Sequence, residues 1–270
     1  MHDSRSGSGR PLLLIHGIGA DGGTWDTVLA PLAAERAVVA VDLPGFGRTP
    51  QLAETTIATL TDAVEGFIAG EASAPEDIDV VGSSMGARIA LELARRGHPG
   101  DVVALDPGGF WNPRERAVFG ASVAASKKLV DLLQPAMPLL TGNPVGRTTL
   151  LGQFSAKPWA LDGDHTLAEM RAFHDSPGFD AALADLVHGA PQEGLPAGRA
   201  TGRITIGWGR RDLVTLPRQA ARALRAFPDA ELRWFAGAGH FPHWDAPAET
   251  AALVLERTGG RSSDGSPADR

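Results

Sequence analysis

Ile78-Asp79-Val80-Val81-Gly82-Ser83-Ser84-Met85-Gly86 is the stretch on which the reading of this chain turns. An apolar run ends in a glycine–x–serine–x–glycine turn, and a helical pattern carrying Ile89, Leu91 and Leu93 follows at once. A serine between a strand and a helix occupies a strained backbone conformation, and glycines two residues away on each side let the two elements approach. The hydroxyl is lifted clear of the sheet, and the positive end of the helix is available to an oxyanion. Only Ser84 has glycine at both flanking positions; Ser83 has Val81 and Met85 there. Ser84 is therefore the expected nucleophile. The plainer alternative is a glycine-containing turn with a serine capping a helix.

Working outward, short apolar runs alternate with helical patterns. Leu12–His16, Ala37–Asp42, Asp77–Val81 and Asp101–Asp106 are expected strands, and Trp25–Ala34, Ile57–Ile68 and Met85–Arg95 expected helices. This βαβαβ alternation implies a mostly parallel twisted sheet with helices on both faces. Between about 110 and 200 no clear strand occurs. Prolines 113, 135, 138, 144, 158 and 177 interrupt that stretch, whose helical patterns are Val118–Leu133, Thr166–Phe173 and Phe179–Val187. It reads as an inserted helical cap that leaves through Gly189–Gly198. The alternation resumes with Arg203–Trp208 (strand), Pro217–Phe227 (helix), Glu231–Phe235 (strand) and Pro247–Arg257 (helix). The expected division is a flexible N-terminus (1–10), an α/β core (11–109 and 201–258), a cap (110–200) and a disordered tail (259–270).

A chain of 270 residues suits one large α/β domain with an insertion, a size that folds without disulfides or metal. The net charge of −7 argues against nucleic acid or an anionic membrane as partner. With no cysteine, thiolate metal sites and a cysteine nucleophile are excluded. Leu12–Ile15 is too short for a signal-peptide core, and no stretch approaches the ~20 apolar residues of a membrane span. The reading is a cytoplasmic protein that acts on a small molecule.

A serine hydroxyl needs a base. Among eight histidines His240 stands out, in Gly237-Ala238-Gly239-His240-Phe241-Pro242 directly after the last expected strand. His243, three residues on, reads as structural, and His98, His165, His174 and His188 as surface or packing residues. The base needs an orienting carboxylate, and Asp212 follows the strand Arg203–Trp208 on a turn that opens toward the same crevice. Asp212 is also a plausible helix cap; what favours it is the order Ser84…Asp212…His240, each beyond its own strand. Asp106, which ends the strand Asp101–Leu105, is the rival acid. His16-Gly17-Ile18-Gly19 follows the first strand, and the amides of Ile18 and Met85 are the expected oxyanion donors, with His16 structural. The chemistry calls for no metal or organic cofactor.

Taken together, His16-Gly17, Asp42-Leu43-Pro44-Gly45-Phe46-Gly47, Gly82-x-Ser84-Met85-Gly86, Gly209-x-x-Asp212 and Gly239-His240 resemble, in order and spacing, landmarks of the α/β-hydrolase superfamily. The resemblance spans about residues 11–258 and implies the α/β-hydrolase fold. It also implies a triad at Ser84, Asp212 and His240, oxyanion donors at Ile18 and Met85, and a helical lid over an acyl or alkyl pocket. By the same analogy Phe110, Trp111, Phe154 and Trp159 line that pocket, with core packing as their alternative role. Haloalkane dehalogenases and epoxide hydrolases carry aspartate where this chain has Ser84. The meta-cleavage-product hydrolases commonly have asparagine before the serine and tryptophan after the histidine; here Ser83 and Phe241 depart from that pattern. The expected activity is carboxylic ester hydrolysis. Its alternatives are carbon–carbon, thioester or lactone cleavage, a cofactor-free perhydrolase, or a small-molecule receptor.

Overall fold

The computed structural model describes residues 1–71 and 78–259. Asp77 and all of the expected tail except Gly259 lie outside the described residues. The strands are β1 (Asp3–Ser6), β2 (Pro11–Ile15), β3 (Ala37–Val41), β4 (Asp79–Ser83), β5 (Val102–Leu105), β6 (Ile204–Gly209) and β7 (Glu231–Phe235). They form one sheet in the order β1-β3-β2-β4-β5-β6-β7. All neighbours run parallel except β1, which lies antiparallel to β3 with Ser4 opposite Ala40. Residues 3–6 were expected to be flexible, because a polar Asp-Ser-Arg-Ser run carries no strand signal. At a sheet edge a strand needs only backbone partners, and polar side chains there discourage further pairing.

The layers follow from the side-chain period of two. Leu12 and Leu14 face one side, packed with Trp25, Val28 and Leu32 and with Ala251, Leu253 and Val254. Leu13 and Ile15 face the other, packed with Leu60 and Val64 and with Ile89 and Leu93. Val28 and Leu32 lie on α1 (Asp26–Ala33), Leu60 and Val64 on α2 (Ile57–Glu71), and Ile89 and Leu93 on α3 (Met85–Arg95). At the sheet's other end, Asp79 at the start of β4 is buried and paired with Arg36 at 2.6 Å and Arg10 at 3.1 Å.

Between β5 and β6 the described chain is helical: α4 (Pro113–Leu133), α5 (Met137–Thr141), α6 (Pro144–Leu151), α7 (Gly163–His174) and α8 (Phe179–His188). Several prolines expected to break helices start them instead. Pro113 and Pro144 open α4 and α6 behind the caps Asn112 and Asn143, which accept the amides of Glu115 and Gly146. The first turn has no partner for its amides, so a residue lacking one loses nothing there. Val130, Met137, Leu151 and Met170 gather in a core of this block's own, which Trp244 joins. The chain closes with α9 (Ala220–Ala226), α10 (Pro242–Asp245) and α11 (Pro247–Arg257). No helix among the described residues is long and apolar enough to cross a membrane.

β2 and β4 are neighbours, yet the chain leaves β2 toward β3 on one side and reaches β4 on the other. The loops beyond their C-terminal ends diverge and leave a crevice, the usual place for a ligand in an open parallel sheet.

Candidate active site

Ser84 stands at that crevice, between β4 and α3, with φ 56° and ψ −110°. Its conformation is held on both sides. The Ser84 amide donates to the Leu105 carbonyl at 2.9 Å, and its carbonyl accepts from the Arg88 amide at 3.1 Å. A Cβ on Gly82 would lie 2.1 Å from the Gly86 carbonyl oxygen, and one on Gly86 would lie 2.2 Å from that of Ile15. Both flanking positions therefore admit only glycine.

His240 reaches Ser84 from the loop beyond β7, with Nε2 2.8 Å from the serine Oγ. Its Nδ1 lies 2.9 Å from Asp212 Oδ2, so the three side chains form one line of hydrogen bonds. All three are buried. The loop is held from outside the sheet: the His240 amide donates to the Phe154 carbonyl at 2.7 Å, and Asp245 takes the Gly239 amide at 2.7 Å and the Ala156 amide at 2.8 Å.

Asp212 and Asp106 are both buried and differ in their donors. Asp212 accepts the amides of Val214 (2.7 Å) and Thr215 (3.0 Å) and the Thr215 hydroxyl (2.6 Å). Burial would raise its pKa, but His240 and these donors bring it below the usual carboxylate range. Asp106 has one protein amide, that of Gly209 at 2.8 Å. Burial, and then the charge of Asp212 beside it, push its carboxyl well above that range, which favours its uncharged form. Asp106 also has φ 48°, in the left-handed region. The rival acid thus sits behind Asp212, and it is Asp212 that touches the imidazole.

Met85 opens α3, so its amide has no acceptor within the helix. Ile18 lines the cavity above Ser84, and a Cβ on Gly17 would lie 3.2 Å from the Ser84 Cβ. His16 holds this loop: its Nε2 accepts the Leu43 amide at 2.9 Å, and its Nδ1 lies 2.7 Å from the Gly17 carbonyl. Burial lowers its pKa, which keeps it neutral in this bridging role. His243 is buried beside Trp25, with ring centroids 4.6 Å apart, and burial lowers its pKa further.

The cavity over Ser84 lies between the sheet and the helical block, a narrow apolar slot. Of the four aromatics expected there, Phe154 lines it. The other three sit elsewhere. Phe110 packs edge-on against Phe227, Trp111 stacks on Phe119 at 4.6 Å, and Trp159 is 54% exposed. The walls include residues the sequence reading did not single out, among them Phe119, Met170, Phe173 and Trp244, and one carboxyl, Glu169. Helical spacing held the signal for Glu169, since 166, 169, 170 and 173 share one face of α7. Thr166, Glu169 and Met170 on that face are buried.

Among the described residues one group of possible metal donors occurs, Asp106, Asp212 and His240, with ligand atoms within 4.8 Å of one another. His240 Nδ1 is engaged with Asp212, and Asp106 takes the Gly209 amide.

A model of the Alpha/beta hydrolase family matches residues 12–253. The chain is 29% identical over 266 residues to a dihydrolipoyllysine-residue acetyltransferase component of the acetoin cleaving system from Cupriavidus necator, a match covering 95% of this chain and 65% of that protein. It is 31% identical over 252 residues to a pimeloyl-[acyl-carrier protein] methyl ester esterase from Chromobacterium violaceum, covering 87% and 89% of the two. Among solved structures, a thermophilic esterase from Thermogutta terrifontis superposes with a TM-score of 0.73 at 18% identity, covering 94% of this chain and 91% of that one.

Proposed function

Because the chain belongs to the Alpha/beta hydrolase family, we propose that it is a serine hydrolase cleaving a small-molecule carboxylic ester through an acyl-enzyme on Ser84. The observation that carries the reading is the unbroken line from Ser84 Oγ through His240 to Asp212, at 2.8 and 2.9 Å. The relative named as a methyl ester esterase is similar over nearly its whole length, and that supports the ester over other acyl bonds.

In this reading Nε2 of His240 takes the Ser84 proton as Oγ attacks the ester carbonyl. Asp212 holds the proton on Nδ1 and balances the imidazolium charge. The amides of Ile18 and Met85 take the oxyanion; losing one such donor typically costs about 3 kcal/mol of transition-state stabilisation. His240 then returns the proton to the leaving alcohol, and a water that it activates releases the acid. None of these steps calls for a metal or an organic cofactor. The helices of 110–200 act as a cap whose Phe154, Phe119 and Met170 shape the acyl or alkyl slot.

The test is labelling with a fluorophosphonate alongside hydrolysis of short p-nitrophenyl esters. The wild type is labelled at Ser84 and turns the esters over, and Ser84→Ala loses both while keeping its melting temperature. Retained turnover in Ser84→Ala would overturn the assignment. Esters left intact while a thioester or lactone is cleaved would move the bond type and leave the nucleophile in place.

A further inference from the structure

The polar groups that line the cavity are not equally occupied. Ser84 and His240 are the reacting pair, and Ser126 already donates to the Ser122 carbonyl at 3.0 Å. Glu169 is different. It projects from α7 among Phe173, Met170 and Trp244 with only 5% of its surface exposed. Thr24, on the loop facing it, has its hydroxyl oxygen engaged elsewhere: it receives the Trp244 indole at 3.2 Å and lies 3.4 Å from His243 Nε2. The charges that act on it are two carboxylates, Asp21 and Asp26, and neither can offset a negative charge. Burial, and then Asp21, push its pKa well above the usual carboxylate range. Set among apolar side chains and almost fully buried, the carboxyl is favoured in its uncharged form. Its hydroxyl is a strong donor in an apolar slot, and an oxygen on the substrate would complete it.

We propose that Glu169 sets substrate selection: it binds an uncharged oxygen, such as a ketone, on the chain of the ester, and it rejects a carboxylate at the same place. The inference rests on the esterase reading above. A ketone oxygen accepts the Glu169 hydrogen bond without bringing charge into the slot. A carboxylate there would face Glu169 together with Asp21 and Asp26 and would lose its water shell with no cation to replace it. A plain alkyl chain fits the slot and leaves the donor unmet.

The test compares kcat/KM for p-nitrophenyl esters of matched length: pentanoate against 4-oxopentanoate, and hexanoate against 5-oxohexanoate. Mono-p-nitrophenyl glutarate and a trimethylammonio-butanoate ester are the charged arms. The wild type is expected to prefer the better-placed oxo ester about tenfold over its alkyl partner, as suits one buried hydrogen bond. It should disfavour the glutarate by roughly a hundredfold. Glu169→Leu brings the oxo-to-alkyl ratio to about one, and Glu169→Gln, whose amide still donates, keeps part of the preference. Fluorophosphonate labelling of Ser84 in both variants reports an intact site. Three results would overturn the inference: an oxo-to-alkyl ratio near one in the wild type, the preference surviving in Glu169→Leu, or the trimethylammonio ester preferred over the oxo esters. A wild type that cleaves the alkyl esters without discrimination leaves the esterase reading standing and removes only Glu169. One that cleaves no ester at all removes the esterase reading itself.

Discussion

On the sheet side of the cavity, Ser84, Asp212 and His240 are held mainly by backbone: a φ of 56° at Ser84, two amides on Asp212 beside the Thr215 hydroxyl, and the Phe154 carbonyl on the His240 amide. On the helical side, Phe119, Val130, Leu150 and Met170 face the same space, Phe119 held in the main core and the other three in the block's own. One wall fixes directions to within a fraction of an ångström, as proton transfer requires. The other sets only shape and polarity. A fault in the first wall should abolish chemistry, and a fault in the second should change which molecule reacts.

The sharpest way to break this contrast is Asp212→Asn, which keeps the shape and favours the wrong imidazole tautomer. Turnover of a p-nitrophenyl ester is expected to fall about 10⁴-fold with substrate binding little changed. If Asp212→Ala kept most activity and Asp106→Ala lost it, the acid would be Asp106. Gly86→Ala comes next. Its Cβ would sit 2.2 Å from the Ile15 carbonyl oxygen and 2.5 Å from that of His16, neither of which can yield without shifting a strand. A loss of roughly 3 kcal/mol in stability is expected, read from urea unfolding, with turnover reduced as the serine moves.

These two walls also explain what could be read in the sequence. The turn around Ser84 was legible because close backbone approaches admit a single residue type, and glycine at 82 and 86 records them. His240 was legible from its place after the last strand. Asp212 rested mainly on chain order, since an aspartate in a turn has many uses. Packing leaves no such mark: helical period says that a face is apolar, but not what it meets. Trp111 and Trp159, which look like pocket residues, therefore sit against Phe119 and in solvent, while Phe119 itself reaches the cavity. The strand at 3–6 was illegible for the opposite reason, because backbone pairing at an edge makes little demand on side chains.

On the helical wall, Phe154→Ala should raise KM for a hexanoate ester about tenfold and lower kcat far less, because the ring lines the slot while the Phe154 carbonyl still holds His240. A matching fall in kcat would mean that the ring also positions the base. The smallest effect on turnover is expected from Asp106→Asn, which keeps the side chain's shape and the Gly209 bond. Its signature is in stability. Above the ordinary aspartate value of 3.8 the unfolded state loses the Asp106 proton while the folded state keeps it. Wild-type stability therefore falls as pH rises, by up to about 1.4 kcal/mol per unit, until the folded carboxyl itself titrates. Asparagine has no such slope, so the stability difference, variant minus wild type, should grow between pH 4 and pH 7 in thermal melts. A constant difference would mean that Asp106 is ionised in the folded protein.

The three residues 154–156 belong to the helical block, yet they grip the loop of the base. The Phe154 carbonyl holds the His240 amide, while the Ser155 hydroxyl and Ala156 amide hold Asp245, which in turn holds Gly239. This seam works as an interlock. A displacement of the block that pulled Phe154 away would also take the acceptor from the His240 amide, so the helical block and the arm that carries the imidazole are tied at this edge.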